Sequence, residues 1–257
     1  MDVRTFIDLH FSHFNSRELR RSAQAYETHI KAGGKMMVSL AGAMSTARVG
    51  RILSRAIRAD LVHAVSCTGA NLEEDAFCLV AGNEYEEITN WRALQAEDEL
   101  ALYQRGMNRV TDTCIPETVM RHLEGHLLNR WRHACAEGRS ELPSAYLLEA
   151  INHPDVVQHH QAPEDSWLLA AHEKNIPIFT PGWEDSTLGN AFAAMVYKDK
   201  LPHHNCVITG TEQMILLMDW YRAQCQPSPT APSVGFFQIG GGIAGDFAIC
   251  AVPALIQ

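Results

Sequence analysis

Short apolar runs, each followed by small residues, dominate the hydrophobic pattern of this chain. Four of them have the length and composition of buried strands and cover residues 35–40, 61–65, 176–180 and 234–239. After the first run, a turn of small residues leads into a helical pattern over 48–58, and the second run leads into another helix. Strand–turn–helix units in succession predict βαβ connections and therefore a parallel sheet.

The remaining segments predict helices and loops around this sheet. We expect a helical N-terminal extension over residues 1–33, with Ser16 as an N-cap and Gly33 at its end, and a polar, mainly helical covering region over about 83–161. The further segments are a polar cluster without helical period at 108–113, a strand or helix approach at 205–209, a helix at 212–223 and a Pro/Ser/Thr-rich loop at 226–233. The whole chain, 1–257, is interpreted as a single domain.

The last apolar run ends in three glycines, Gly240, Gly241 and Gly242. A strand with such a turn usually lies in the middle of a sheet, yet only one helical pattern follows it before Gln257. We therefore expect a C-terminally incomplete sheet, whose uncovered edge and apolar face would need a partner.

Composition narrows the possible classes of protein. With 257 residues and a formal net charge of -9, the chain can bury a full core but lacks the basic stripe of a nucleic-acid-binding protein. No apolar stretch reaches the roughly 18 residues of a membrane span, and the N-terminus has no signal-peptide pattern. We therefore predict no nucleic-acid partner and no membrane association.

Cysteine and histidine usage favours a reducing compartment and no metal site. The seven cysteines include no CxxC pair, and Cys67, Cys78, Cys114 and Cys250 lie among apolar or small residues, as buried thiols do. A cytoplasmic location is the prediction from this pattern. The thirteen histidines include two adjacent pairs but no HExxH spacing, so no set of metal ligands is predicted.

The most informative stretch is Glu73-Glu74-Asp75, which follows the second strand and a tight turn. These acids have two interpretations. They complement the macrodipole at the N-terminus of their own helix, or they form a site for a cationic substrate at the carboxyl end of a strand, where open α/β sheets bind ligands.

Other strand ends offer similar pairs of alternatives. The three glycines either form a tight left-handed turn or bring backbone N–H groups close to a phosphate or dinucleotide. Ser45 and Thr46 either cap a helix or make a second phosphate contact. Asp185 is either an N-cap or a ribose ligand, and Trp183 is either a core residue or an apolar wall for a substrate. The sequence has no GxSxG, HExxH or P-loop lysine motif, so serine hydrolysis and phosphoryl transfer have no support.

Taken together and in this order, these segments resemble the deoxyhypusine synthase family, and in particular its bacterial deoxyhypusine synthase-like, homospermidine-forming branch. The matching segments are the turn at 41–47, Cys67-Thr68-Gly69-Ala70-Asn71-Leu72-Glu73-Glu74-Asp75, Asn108-Arg109, Lys174-Asn175-Ile176-Pro177-Ile178, Pro181-Gly182-Trp183-Glu184-Asp185-Ser186-Thr187-Leu188-Gly189-Asn190 and Gln238-Ile239-Gly240-Gly241-Gly242-Ile243-Ala244-Gly245-Asp246. The resemblance covers about residue 34 to the end of the chain.

The resemblance implies an α/β fold with a Rossmann-like parallel sheet and helices on both faces. It also implies NAD as cofactor and a homotetramer with sites at dimer interfaces. The implied reaction is transfer of the aminobutyl group of spermidine. NAD accepts a hydride from the polyamine, a lysine of the enzyme captures the aminobutyl group, and an acceptor amine receives it. That acceptor is a lysine of a translation factor in the eukaryotic enzymes, and putrescine is the expected acceptor in bacterial relatives.

The resemblance assigns two groups of ligands, residue by residue. The cofactor group comprises Ser45, Thr68, Gly69, Ala70, Glu74, Asp185, Gly240, Gly241 and Gly242. The substrate group comprises Glu73, Glu74, Asn190, Asp246 and Cys250. Asn190 stands where the eukaryotic pattern has an acid, and Asp246 and Cys250 stand where it has histidine and asparagine. The substrate or its orientation is therefore expected to differ.

The sequence contains no Trp-Gly-Lys segment, which supplies the catalytic lysine in this family. Its lysines are Lys31, Lys35, Lys174, Lys198 and Lys200, and none has a matching context, so no catalytic residue is assigned. Two alternative hypotheses about function therefore remain besides an aminobutyltransferase. One is a non-catalytic NAD- and polyamine-binding subunit or truncated pseudoenzyme, and the other is an unrelated NAD-dependent oxidoreductase that acts on polyamines.

Overall fold

The chain forms a mixed α/β fold in the computed structural model, which describes residues 1–153, 159–225 and 233–256. Its α-helices are α1 (Val3–His10), α2 (Phe14–Lys31), α3 (Gly50–Arg58), α4 (Gly69–Ala81), α5 (Ala96–Gln104), α6 (Glu117–Glu137), α7 (Pro143–Ile151), α8 (Trp167–Glu173), α9 (Thr187–Tyr197), α10 (Gly210–Gln224) and α11 (Ile243–Ile256). Its strands are β1 (Lys35–Leu40), β2 (Ala64–Cys67), β3 (Glu86–Glu87), β4 (Met107–Val110), β5 (Thr113–Pro116), β6 (Ile178–Phe179) and β7 (Val234–Ile239). Short 3-10 turns lie at Trp91–Ala93, Pro163–Asp165 and Trp183–Asp185.

The main sheet contains parallel strands in the order β6-β2-β1-β7. At its centre, Val38 of β1 is in register with Val65 of β2 on one side and Phe237 of β7 on the other. The predicted parallel α/β sheet is confirmed. The second strand begins later than predicted, because the Leu61 N–H donates to the Ala56 carbonyl (2.9 Å) and so belongs to the end of α3.

Side chains of β1 alternate between the two faces of this sheet, as strand geometry requires. Val38 and Leu40 contribute to a large core shared with α3, α4 and α6 to α9. Met37 points the other way, into a smaller core that it shares with Leu217 of α10 and Ala248 of α11. Helices therefore cover both faces, as predicted for this fold class.

The covering region over 83–161 is only partly helical, which corrects the sequence prediction. Helices α5, α6 and α7 lie there, but β3, β5 and β4 form a small antiparallel sheet between α4 and α6. The polar cluster at 108–113 is a hairpin within that sheet, and its turn uses Thr111 at a φ of 59°. Strands of two to four residues are too short to show a period-2 pattern in the sequence.

Two other local predictions are tested at helix starts. Ser16 is not an N-cap, because α2 begins at Phe14 and the Ser16 hydroxyl donates back to the His13 carbonyl at 2.7 Å. Residues 205–209 are a helix approach, not a strand, because Thr209 and Glu212 form a capping box at the start of α10. The predicted loop at 226–233 lies outside the described residues except for its last position.

The strand with the triple glycine is an edge strand among the described residues. β7 pairs with β1 along its whole length, from Val234 to Ile239, and no described strand pairs with its other side. The uncovered edge that the sequence predicts at the last strand is therefore present among the described residues. Phe237, Ile243 and Ile249 expose large apolar side chains on or near this edge. None of the described helices is long and apolar enough to cross a membrane.

Close packing holds the turn after β6 against the starts of α4 and α9. A Cβ added at Gly69 would lie 2.6 Å from the Ser186 Cβ, and one added at Gly189 would lie 2.1 Å from the Trp183 carbonyl oxygen. Both glycines therefore allow a close backbone approach that a larger residue would block.

We predict that Gly189→Ala lowers the free energy of unfolding by about 2 kcal/mol or more, because the Trp183 backbone would have to move. Gly125→Ala is the matched control, since Gly125 lies in α6 with open space around its Cα, and alanine there should stabilise the helix by about 0.5–1 kcal/mol. Urea unfolding measures both. Equal urea midpoints for the two variants would contradict the close contact between Gly189 and the Trp183 backbone.

Candidate functional site

The carboxyl ends of the four parallel strands meet at one edge of the sheet, and the loops after them touch. Ala41 after β1 donates its N–H to the last carbonyl of β7 at 3.0 Å. The Thr68 hydroxyl after β2 donates to the Gly42 carbonyl at 2.6 Å. The loop after β6 reaches α11, since a Cβ at Gly182 would lie 2.8 Å from the Ile243 side chain. We call these four loops the carboxyl edge, the place where open α/β sheets bind ligands.

Asn71 fixes the first two loops of the carboxyl edge. Its side-chain amide donates to the Gly42 carbonyl and to the Thr68 hydroxyl, both at 2.8 Å, and its side-chain oxygen accepts from the Ser45 N–H at 2.9 Å. The residue is fully buried. Sequence reasoning did not single it out, although it lies inside the Thr-Gly-Ala-Asn segment that carried the resemblance.

Ser45, predicted as a cofactor ligand, has a hydroxyl engaged within the protein. That hydroxyl donates to the Asn71 carbonyl at 2.8 Å and accepts from the Trp167 indole N–H at 3.1 Å. Ser45 is buried, so its contribution to a ligand site would come through the shape of the turn. Thr68, Gly69 and Ala70, by contrast, form the turn and first residues of α4 directly at the edge.

Glu73 caps a helix other than its own. Its two carboxylate oxygens accept the N–H groups of Thr187 (3.0 Å) and Leu188 (2.8 Å), the first two residues of α9. Burial raises the pKa of this carboxyl, while the two backbone donors act in the opposite direction. A helix N-terminus carries unpaired N–H groups and partial positive charge, so the carboxylate satisfies both.

Asp75 does the same for α8. Its carboxylate accepts from the Ser166 hydroxyl at 2.6 Å and from the Leu168 N–H at 3.1 Å, and the Trp167 N–H lies 3.4 Å away. Burial raises its pKa to about 6 against the effect of these donors. The interpretation that the acids stabilise a helix N-terminus is therefore right for two of the three, Glu73 and Asp75. It is wrong about which helix, because α4 begins at Gly69 and has no acid in its first turn.

Glu74 differs from its neighbours because one of its oxygens has no hydrogen-bond partner. The side chain is only 6% exposed, and Oε2 is among the buried atoms without a partner in the described part of the chain. Burial raises its pKa to about 7 against the opposing effect of the nearby Thr46 hydroxyl, and the charge of nearby Glu73 adds a smaller rise.

Three more buried polar atoms near Glu74 also lack partners in the described ranges: Thr46 Oγ1, Arg48 Nη1 and the Tyr85 hydroxyl. The Arg48 guanidinium lies over the Tyr85 ring, 5.4 Å from its centroid. Buried polar groups without partners are rare in proteins and usually mark a place for water, an ion or a ligand. The orphaned atoms therefore fit a polar ligand or ordered water beside Glu74.

The remaining acids and amides of the prediction are exposed on the carboxyl edge. Asp185 lies in the turn before α9, Asn190 in the first turn of α9, and Asp246 in the first turn of α11. Gly240 and Gly242 adopt φ values of 85° and 69°, and a Cβ at Gly241 or Gly242 would meet open space. This part of the edge can therefore admit a ligand up to the backbone.

One expectation about a single residue is corrected here, one of the two alternatives for Asp185 is ruled out, and the core alternative for Trp183 is supported. Cys250 is exposed, not a buried thiol, because Ala248 and Ala251 occupy the buried side of α11. Asp185 is not the N-cap of α9, since the Ser186 hydroxyl accepts from the Gly189 N–H at 3.1 Å. Trp183 is a core residue and packs against Trp131 and Phe192.

This fold and edge define an α/β protein with an open parallel sheet and helices on both faces. The sequence model of the deoxyhypusine synthase family matches residues 8–255, and the chain belongs to that family. A Methanosarcina mazei protein named probable deoxyhypusine synthase 2 is 28% identical over 68% of this chain and 48% of its own length. A deoxyhypusine synthase-like protein of Coxiella burnetii is 26% identical over 96% of this chain and 65% of its own length. The chain thus spans about half to two thirds of these relatives.

The fold has a counterpart among solved structures. An Entamoeba histolytica protein that carries the same family name superimposes with a TM-score of 0.52 over 81% of this chain and 58% of that one. The two are 14% identical, so this likeness concerns the fold alone.

We predict that Glu74→Gln raises the free energy of unfolding by about 1–3 kcal/mol at pH 8, because a buried, unpaired carboxylate is replaced by a neutral amide. The pKa of Glu74 is raised on folding, so wild-type stability from this group is greatest below pH 4.5 and is lost as pH rises toward 7. The difference between variant and wild type should therefore shrink to near zero at pH 4.5. Thermal unfolding across this pH range measures it.

Glu73→Gln is the matched control one residue away. A neutral amide there has only one acceptor for two backbone N–H groups, so we expect the free energy of unfolding to fall by about 1–3 kcal/mol. Destabilisation of similar size in both variants at pH 8 would show that Glu74 has a partner after all.

Proposed function

We propose that this chain takes part in NAD-dependent aminobutyl transfer from spermidine to an acceptor amine, either putrescine or a protein lysine. Membership of the deoxyhypusine synthase family over residues 8–255 is the observation that carries the proposal. The chain spans only part of the length of its relatives, so the activity of the whole protein is inferred. A cytoplasmic location is proposed with it, in keeping with seven free thiols.

The open part of the carboxyl edge fits a dinucleotide. Gly241 and Gly242 lie before the N-terminus of α11, with open space where a side chain would be. Backbone N–H groups at such a turn can approach a pyrophosphate closely. Thr68, Gly69 and Asp185 would complete the cradle from the loops after β2 and β6. When bound, NAD would supply a hydride acceptor for the carbon next to an amine and return that hydride later.

The acids of the edge suit a polyamine. Spermidine carries positive charges along a flexible chain, and carboxylates in a closing site attract them strongly. Glu73 is already engaged with the start of α9, which leaves Glu74 and Asp246 as the acids for the amines. Glu74 holds its proton more readily than an ordinary glutamate, so it is suited to exchange one with an amine near neutral pH. Asn190 and Cys250 would contact the substrate from α9 and α11.

The lysines favour a second candidate, a non-catalytic subunit that binds NAD and polyamine. Lys31 and Lys35 lie at the amino end of β1, and Lys174 pairs with Asp60 at 2.8 Å, before β6 and β2 begin. Lys198 and Lys200 follow the far end of α9. None of the five lysines lies at the carboxyl edge, so a lysine for covalent capture would come from a further segment or from a partner copy in a homotetramer.

Transfer is tested by incubating the chain with NAD, spermidine labelled in its aminobutyl group, and putrescine, and by following the products with mass spectrometry. We expect labelled homospermidine together with diaminopropane. NAD and spermidine binding without product would instead support the non-catalytic subunit. An oxidised polyamine without transfer would favour an oxidoreductase, and failure to bind either ligand would refute both main candidates.

The polyamine site is tested with Asp246→Asn. Removing one carboxylate should weaken spermidine binding about threefold to tenfold and leave NAD binding unchanged, because the lost partner is an ammonium group. Asp219→Asn, an equal charge change on exposed α10, is the control and should bind spermidine like the wild type. Isothermal titration calorimetry gives both affinities. An equal loss of spermidine affinity in the two variants would show that the effect comes from the net charge of the protein and not from a contact with Asp246.

A further inference from the structure

A small cavity lies beneath the carboxyl edge, between α4, α6, α7 and the start of α9. Its volume is about 20 Å³, and Gly69 and Ser186, which belong to the edge, form one side of it. Glu73 of α4, Trp131 of α6 and Tyr146 of α7 contribute side chains that carry polar atoms. All of the residues that line the cavity are buried, so its polar groups depend on partners inside the protein.

The Trp131 indole brings a hydrogen-bond donor without an acceptor to this cavity. The side chain is 1% exposed, and its Nε1 is among the buried atoms that lack a partner in the described part of the chain. The ring packs against Phe192 and Trp183, with centroids 4.9 and 6.4 Å away, and these contacts hold it in place. Because an unpaired buried N–H is costly, the indole indicates an acceptor within the cavity.

Glu73 has the complementary property, since it lines the same cavity and can accept a further hydrogen bond. Its two carboxylate oxygens accept one backbone N–H each, from Thr187 at 3.0 Å and from Leu188 at 2.8 Å. A carboxylate offers about four acceptor positions, so these two bonds leave room for another donor. The side chain is 4% exposed, so bulk water does not fill that room.

This combination of donor and acceptors selects the occupant. The Trp131 N–H needs an acceptor, which an ammonium group lacks, and an anion would be repelled by the Glu73 carboxylate. Water accepts from one group and donates to two others, and roughly 10–15 Å³ is enough to hold it. The Tyr146 hydroxyl donates to the Cys206 carbonyl at 2.6 Å, and its oxygen can accept the second hydrogen of the water.

We propose that this cavity is a binding site for one ordered water, which accepts a hydrogen bond from Nε1 of Trp131 and donates one to the Glu73 carboxylate. The water joins α6 to α4 and adds a further donor to the carboxylate that caps α9. Helix α6 therefore helps to fix where α9 begins, although no direct contact between Trp131 and Glu73 is needed. The inference does not rest on the proposed function.

The direct test is a crystal structure of the full chain at a resolution that shows ordered water. We expect a water oxygen about 2.7–3.2 Å from both Trp131 Nε1 and one carboxylate oxygen of Glu73. A protein acceptor on Nε1, or a cavity without density for an ordered water, would overturn the proposal.

Nuclear magnetic resonance in solution supplies a second measurement with an internal control. Trp167 is also completely buried, but its indole N–H donates to the Ser45 hydroxyl at 3.1 Å. The variants Trp131→Phe and Trp167→Phe assign the two indole resonances, because each removes one signal. In the wild type we expect a nuclear Overhauser effect from long-lived water at the Trp131 indole proton and none at that of Trp167. Equal effects at the two indoles would overturn the proposal, since relay through a protein hydroxyl would then explain both.

Discussion

The fold depends on two buried carboxylates of one helix, α4, which accept backbone N–H groups at the N-termini of two other helices. Glu73 and Asp75 are adjacent to Glu74 on α4, yet they accept backbone N–H groups of α9 and α8 respectively. Removing a carboxylate from water costs several kcal/mol, and only well-placed donors offset that cost. Because the donors belong to helix N-termini, the same contacts fix where α8 and α9 begin. The turns before both helices, and with them part of the carboxyl edge, are therefore positioned from α4.

Glu74, a third buried carboxyl on the same helix, lacks within the described ranges the hydrogen-bond donors that Glu73 and Asp75 have. Its burial is similar, but its Oε2 and one side-chain polar atom in each of Thr46, Arg48 and Tyr85 have no partners in the described part of the chain. Two of the three acids thus cap helices, and the third has an acceptor oxygen that is free to bind a ligand or water beside the open edge. A difference of one position along a helix turns a side chain by about 100°, and that rotation separates the two roles.

The sequence pattern predicted the main sheet well because its strands are short apolar runs, and β1 and β2 at its centre are buried on both faces. β1 and β7 have the predicted bounds, and the parallel arrangement followed from the small turns and helices after them. The small antiparallel sheet was missed because strands such as Glu86–Glu87 show no pattern. The partners of Glu73 and Asp75 were missed because they lie 91 to 115 residues away along the chain, beyond any local signal. Cys250 was misjudged because a helix of small and apolar residues does not reveal which side faces the core.

The long sequence separation between α4 and its partners has a consequence for biosynthesis. Ribosomes add about 5–20 residues per second, so several seconds pass between the emergence of Glu73 and that of Leu188. During that interval the acids of α4 lack the backbone N–H donors of α8 and α9, so they are most stable when hydrated. Their hydration opposes early burial of a helix that is otherwise apolar. Docking of α4 is thereby delayed until residues 166–188 can supply their N–H groups. The nascent chain would form its central sheet late, and its exposed apolar strands would be natural clients for chaperones.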